Sequence, residues 1–139
     1  MRAVFDVCYQ PGEIVAVGYT EDQESGRARL VTAAEPAGLR LTPDRAILHS
    51  SFGDLAYVTV EVVDQAGVVV RHAAHELTLD IAGAVELIAV GTANPVSEEL
   101  YVGNTRKAYE GRLAAVVRTN GEAGDVVLRA QAAGLATGR

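Results

Sequence analysis

Between Leu55 and Val63 apolar and polar side chains alternate: Ala56, Val58, Val60 and Val62 fall on one side, Tyr57, Thr59 and Glu61 on the other. A period of two is the signature of a β-strand with one buried and one wetter face. The same pattern returns in Leu77, Leu79 and Ile81, set against Thr78 and Asp80, and in Val126, Leu128 and Ala130, set against Val127, Arg129 and Gln131. Val85 to Val90 reads as a further short strand, and the more apolar Leu113 to Thr119 as a central one. Turn formers separate the runs. Asp64-Gln65-Ala66-Gly67 leads into Val68-Val69-Val70 as a hairpin, and Asn120 to Asp125 is a turn cluster. Recurrent short strands between turn signals predict an all-β sandwich or barrel, with no helix of useful length.

Composition agrees. Of 139 residues, 49% are hydrophobic but only 5% aromatic, with no Trp, so the core must be filled by Val, Leu and Ala. The net charge of −6 and a single adjacent basic pair, Arg106-Lys107, give no electrostatic footprint for nucleic acid. One cysteine, Cys8, rules out an internal disulfide. No apolar run approaches the roughly 20 residues of a membrane span, and Asp6 interrupts the N-terminal stretch, which does not read as a signal peptide.

Two segments stand apart. Residues 1–35 read as three strands, Ala3 to Cys8, Ile14 to Thr20 and Arg27 to Thr32, closed by a linker at Ala34-Glu35-Pro36-Ala37-Gly38. Three strands are marginal alone. This block is expected to be part of a second sandwich, with 36–139 the main domain. Gly91 to Gly111 is long, polar and rich in turn formers, and reads as an ordered loop with a short strand at Leu100 to Val102.

Leu41-Thr42-Pro43-Asp44-Arg45, Asp54 to Asp64, Asn94-Pro95 and above all Gly103-Asn104-Thr105-Arg106-Lys107-Ala108-Tyr109-Glu110-Gly111, ending in Ala114 to Arg118, together carry a resemblance. They resemble the C-terminal immunoglobulin-like domain of family 2 glycoside hydrolases of the β-galactosidase type. Phe5 to Glu13 resembles the end of the small sandwich that precedes that domain, with Phe5 and Cys8 where the family pattern has Trp and Pro. The resemblance implies an immunoglobulin-like sandwich with Greek-key connections, preceded by strands of a partial second sandwich. It also implies a parent enzyme whose two catalytic glutamates sit in a (β/α)₈ barrel upstream. No catalytic residue carries over to this chain.

The candidate chemistry is thin. Glu98-Glu99 are neighbours, and neighbours in an extended chain point to opposite faces. They cannot converge as a glycosidase pair does, and read as a solvated loop. His72 and His75 are spaced i, i+3 with only His49 to add, short of a metal set. Cys8 has nothing near it in sequence to activate a thiol. No catalytic, cofactor or metal residue is expected. The best binding candidates are Asn94, Asn104, Arg106, Lys107 and Tyr109, for a neighbouring domain or a sugar.

Two functions compete: an accessory domain of a family 2 glycosidase, and an independent module binding carbohydrate or cell surfaces. The expected partners are the other domains of the parent glycosidase, another copy through the N-terminal strands, or carbohydrate, with neither nucleic acid nor membrane among them. A free-standing enzyme lacks a convergent acid, base and nucleophile.

Overall fold

The computed structural model describes residues 3–51 and 53–138. The chain divides into two units, Met1–Thr32 and Ala33–Arg139. All regular structure among the described residues is β.

In the first unit β1 (Glu13–Thr20) and β2 (Gln23–Val31) form an antiparallel hairpin. Glu21 and Asp22 turn it, both at positive φ, the backbone that matches strand twist in a two-residue loop. Register sorts the faces. Ile14 opposite Leu30, Ala16 opposite Ala28 and Gly18 opposite Gly26 make one uncharged face. Val15 opposite Arg29 and Val17 opposite Arg27 make the other, where Glu13 holds Arg29 and Glu24 holds Arg27. Ala3 to Cys8, expected as a third strand, forms no ladder among the described residues. Its apolar residues Val4, Phe5 and Val7 stay exposed, because alternation alone supplies no strand to pair with.

The second unit is a two-sheet sandwich. One sheet has the order β3-β4-β8-β6, from β3 (Gly38–Pro43), β4 (Leu55–Val63), β8 (Arg112–Thr119) and β6 (Val85–Gly91). The other has the order β7-β5-β9, from β7 (Thr105–Lys107), β5 (Glu76–Gly83) and β9 (Val126–Gln131). All pairings within them are antiparallel. Val58, Val60 and Val62 face Leu77, Leu79 and Ala130 of the opposite sheet in one core with Leu39, Leu113 and Ala115. Each fully buried Val or Leu contributes about 1.5–3 kcal/mol to folding, so short aliphatic chains suffice without an aromatic centre.

Two edges were not apparent in the sequence. Ala34 to Gly38, read as a linker, belongs to the second unit: Ala37 N–H donates to Val63 O at 2.8 Å, and β3 follows. At the other end a tail from Leu135 to Gly138 joins the two sheets. Ala136 pairs in parallel with Gly38 beside β3, and Gly138 pairs antiparallel with Ala130 of β9.

Candidate functional site

The long connection from Gly91 to Gly111 is organised by its own polar groups. Asn94 Oδ1 accepts the Val96 amide at 3.1 Å and Asn94 O the Ser97 amide at 3.3 Å, making a tight turn. Tyr101 O accepts from Val90 N–H, and the Tyr101 ring lies over Gly91, where an added Cβ would sit 2.7 Å from two ring carbons. Leu100 to Val102 forms no strand. Leu100 is 75% and Tyr101 66% exposed. The edge of β5 is paired instead by Thr105–Lys107, further along the chain, where Arg106 stands opposite Leu77.

Register then aims Arg106 into the sandwich on the Leu77 side, 4% exposed, while Lys107 lies outward. Glu99 reaches back to it, its Oε2 3.4 Å from Arg106 Nη1, and Ser97 Oγ donates to the same carboxylate. Asn104 locks β5 from its edge: its carbonyl accepts Leu79 N–H at 2.8 Å and its side-chain amide donates to Leu79 O at 3.1 Å. Tyr109 exchanges backbone hydrogen bonds with Arg112 across the turn Glu110-Gly111, whose residues both have positive φ. Of the five candidates, Asn94, Asn104 and Arg106 thus engage their side chains with their own chain. Lys107 and Tyr109 present theirs to solvent.

Other polar groups serve the scaffold. Glu61, on the outer face of β4, lies opposite Arg40 of β3 and Arg112 of β8, and accepts from both at 2.6–2.9 Å. Lost solvent pushes its carboxyl up, but the two guanidinium groups outweigh this and hold it below the usual range. Asp64 accepts the amides of Ala34, Ala66 and Val68, and these hydrogen bonds, Ala34's first, lower its pKa. Asp54 caps His49 and Leu55 and is lowered chiefly by the His49 amide. Sequence inspection missed the Glu61 cluster, because only register places Arg40 and Arg112 beside it. Among the described residues no three His, Cys, Asp or Glu side chains gather in a way that could hold a metal ion. Glu98 and Glu99 do not share a site: Glu99 is paired with Arg106 and Glu98 is exposed.

A cleft of about 890 Å³ opens at one end of the sandwich, between Leu41 and Pro43 of β3 and Val126 to Leu128 of β9, floored by Val58, Val85 and Val117. Arg45, His49, Glu122 and Asp125 stand on its lining.

Two antiparallel sheets packed over an aliphatic core define an all-β sandwich domain. The chain belongs to the family 2 glycoside hydrolases: residues 39–139 match their C-terminal domain 5. It is 32% identical over 135 residues to the β-galactosidase BoGH2A of Bacteroides ovatus, covering 97% of this chain and 16% of that enzyme. A solved family 2 glycosyl hydrolase from Bacteroides cellulosilyticus superposes with a TM-score of 0.89 at 33% identity, over 96% of this chain and 18% of that one. A β-glycosidase from Bacteroides vulgatus shares the fold, with a TM-score of 0.89 at 21% identity, over 94% of this chain and 17% of its own. The chain therefore spans less than a fifth of these relatives. It is a C-terminal domain of a family 2 glycosidase, as Gly103 to Gly111 led one to expect.

Proposed function

We propose that this domain is a non-catalytic accessory module of a β-galactosidase-type glycosidase, packing against the remainder of that enzyme. The observation that carries the reading is the spending of polar side chains. The carboxylates Glu61, Asp64, Asp54 and Glu99 are engaged by arginines or amides of their own fold, which supports a bracing use for them. The exposed apolar run Leu100, Tyr101 and Val102 supplies the surface for a neighbour. The uncharged Ile14–Leu30 face of the first unit supplies another, suited to neighbouring strands or to a second copy.

A second reading, a carbohydrate-binding module, is favoured by the exposed rings of Tyr101 and Tyr109 on the same connection. Titration with galactose, lactose and β-linked polysaccharides, followed by backbone amide shifts, separates the two. The accessory reading expects no shift at millimolar sugar. It also expects shifts at Val96 to Val102 on adding BoGH2A that lacks its matching segment. Saturable sugar shifts on Asn94 to Tyr109 would instead establish the binding module.

A further inference from the structure

The chain has three asparagines, Asn94, Asn104 and Asn120. Asparagine is a thermolabile residue, because the peptide nitrogen that follows it can attack its side-chain amide carbon. The three differ in whether that attack is open to them. Asn94 is closed to it: the next nitrogen belongs to Pro95 and carries no hydrogen. Asn104 is held off it. Its side-chain amide donates to Leu79 O at 3.1 Å, and Thr105 behind it is β-branched and paired with Thr78 in the β7–β5 ladder.

Asn120 is placed otherwise. It directly follows β8, and the next residue, Gly121, is exposed at φ +93°. Gly121 has no side chain to shield its nitrogen. Asn120 Oδ1 accepts the Glu122 amide at 3.0 Å. That bond closes a ring of atoms from Oδ1 and Cγ, through the Asn120 main chain and Gly121, to the Glu122 nitrogen. In such a ring the side-chain carbonyl takes the place of the first carbonyl of a backbone turn, which brings Cγ toward the Gly121 nitrogen. The Glu122 N–H also faces the oxygen on which negative charge collects as that nitrogen adds.

We propose that Asn120 is a self-modification site, which converts to isoaspartate through a cyclic imide. Hydroxide takes the proton of the Gly121 nitrogen, which attacks Asn120 Cγ. A C–N bond forms, the Cγ–Nδ2 bond breaks, and the departing nitrogen takes a proton from water and leaves as ammonia. Water then opens the imide. Attack at Cγ leaves an ordinary aspartate. Attack at the main-chain carbonyl leaves isoaspartate, with the chain running through Cβ. Water and hydroxide are the only reagents, and nothing is oxidised or reduced. The product adds a negative charge beside Glu122 in a chain already at −6. It also lengthens the main chain just after the Asn120 N–H, which donates to Ala84 O at 3.2 Å.

The test ages the full chain in mildly alkaline buffer made with heavy-oxygen water and maps its peptides by mass. The expected result is isoaspartate at position 120 carrying one solvent oxygen, formed at a rate about tenfold or more above any change at Asn94 or Asn104. That rate should rise with pH. Fragmentation across the Cα–Cβ bond separates isoaspartate from aspartate. Asn120→Ser, whose hydroxyl still accepts the Glu122 amide, should abolish the signal. Should that variant fail to fold, the map of the parent chain decides alone. Aspartate without isoaspartate at position 120 overturns the imide route, since direct hydrolysis gives only that product. Asn104 changing as fast as Asn120 overturns the part assigned to the turn. An unchanged Asn120 overturns the proposal outright.

Discussion

The carboxylate of Asp64 accepts the amide of Ala34, thirty residues earlier, at 2.8 Å. With Ala66 and Val68 on the same side chain, one acid fixes both the start of the second unit and the hairpin after β4. Asp64→Ala should lower the melting temperature, and more than Asp64→Asn, which keeps an acceptor oxygen. Thermal melts of the two variants check the order.

The pH dependence follows from the same groups. Asp64, Asp54 and Glu61 all titrate below their ordinary values in the folded protein. A depressed pKa means that the unfolded chain binds protons first as the pH falls. The stability these carboxylates contribute is complete above their unfolded values, about 4, and is lost as the pH falls through the folded values. Urea midpoints should hold from neutral pH to about 5 and then drop. Asp64→Asn should make that drop shallower.

Glu61 is held between two arginines on adjacent strands. Glu61→Ala leaves Arg40 and Arg112 facing each other, at a cost of about 1–2 kcal/mol, lessened because both arginines are partly in solvent. High salt should shrink the difference. A double-mutant cycle with Arg112→Ala should show coupling, since removing both partners relieves the repulsion.

Gly111 and Gly134 have nearly the same φ, +70° and +76°, in different surroundings. A Cβ on Gly134 meets open space, so Gly134→Ala should cost only the left-handed backbone, about 1 kcal/mol. A Cβ on Gly111 would collide with the Val70 carbonyl, and Gly111→Ala should cost about 3 kcal/mol or prevent folding. Chemical denaturation of the pair separates backbone strain from collision.

Arg106 is a buried guanidinium whose Nε has no partner among the described residues, balanced by the half-exposed Glu99. Removing one partner of such a pair costs more than replacing the charge by an apolar chain of similar size. Glu99→Ala should destabilise by about 1–3 kcal/mol, whereas Arg106→Met should stay within about 1 kcal/mol of the parent. The ranking of the two midpoints is the measurement.

Strands were legible where both faces have a fixed fate. In β4 the inward valines and outward Tyr57 and Thr59 mark the core side without any partner being known. Legibility ended where pairing decides. The Ala34–Gly38 segment resembles a linker because its contribution is backbone hydrogen bonding, to Asp64 and Val63, not apolar bulk. Leu100 to Val102 looks like a strand, yet the β5 edge is taken by Thr105–Lys107. For the candidate site, Asn94 and Asn104 are turn and edge formers by type, whereas the burial of Arg106 depends on its standing opposite Leu77. No local pattern announces that.

The parallel seam between Ala136 and β3 has a mechanical consequence. Tension applied between Ala33 and Gly138 would pull the tail and β3 along their lengths in opposite senses. The bonds from Leu39 N–H to Ala136 O and from Ala136 N–H to Ala37 O lie across that pull and bear it together. In the β1–β2 hairpin, drawing Glu13 away from Val31 loads one rung at a time. The sandwich is thus built to resist stretching at its seam, while the hairpin unzips under a weaker force.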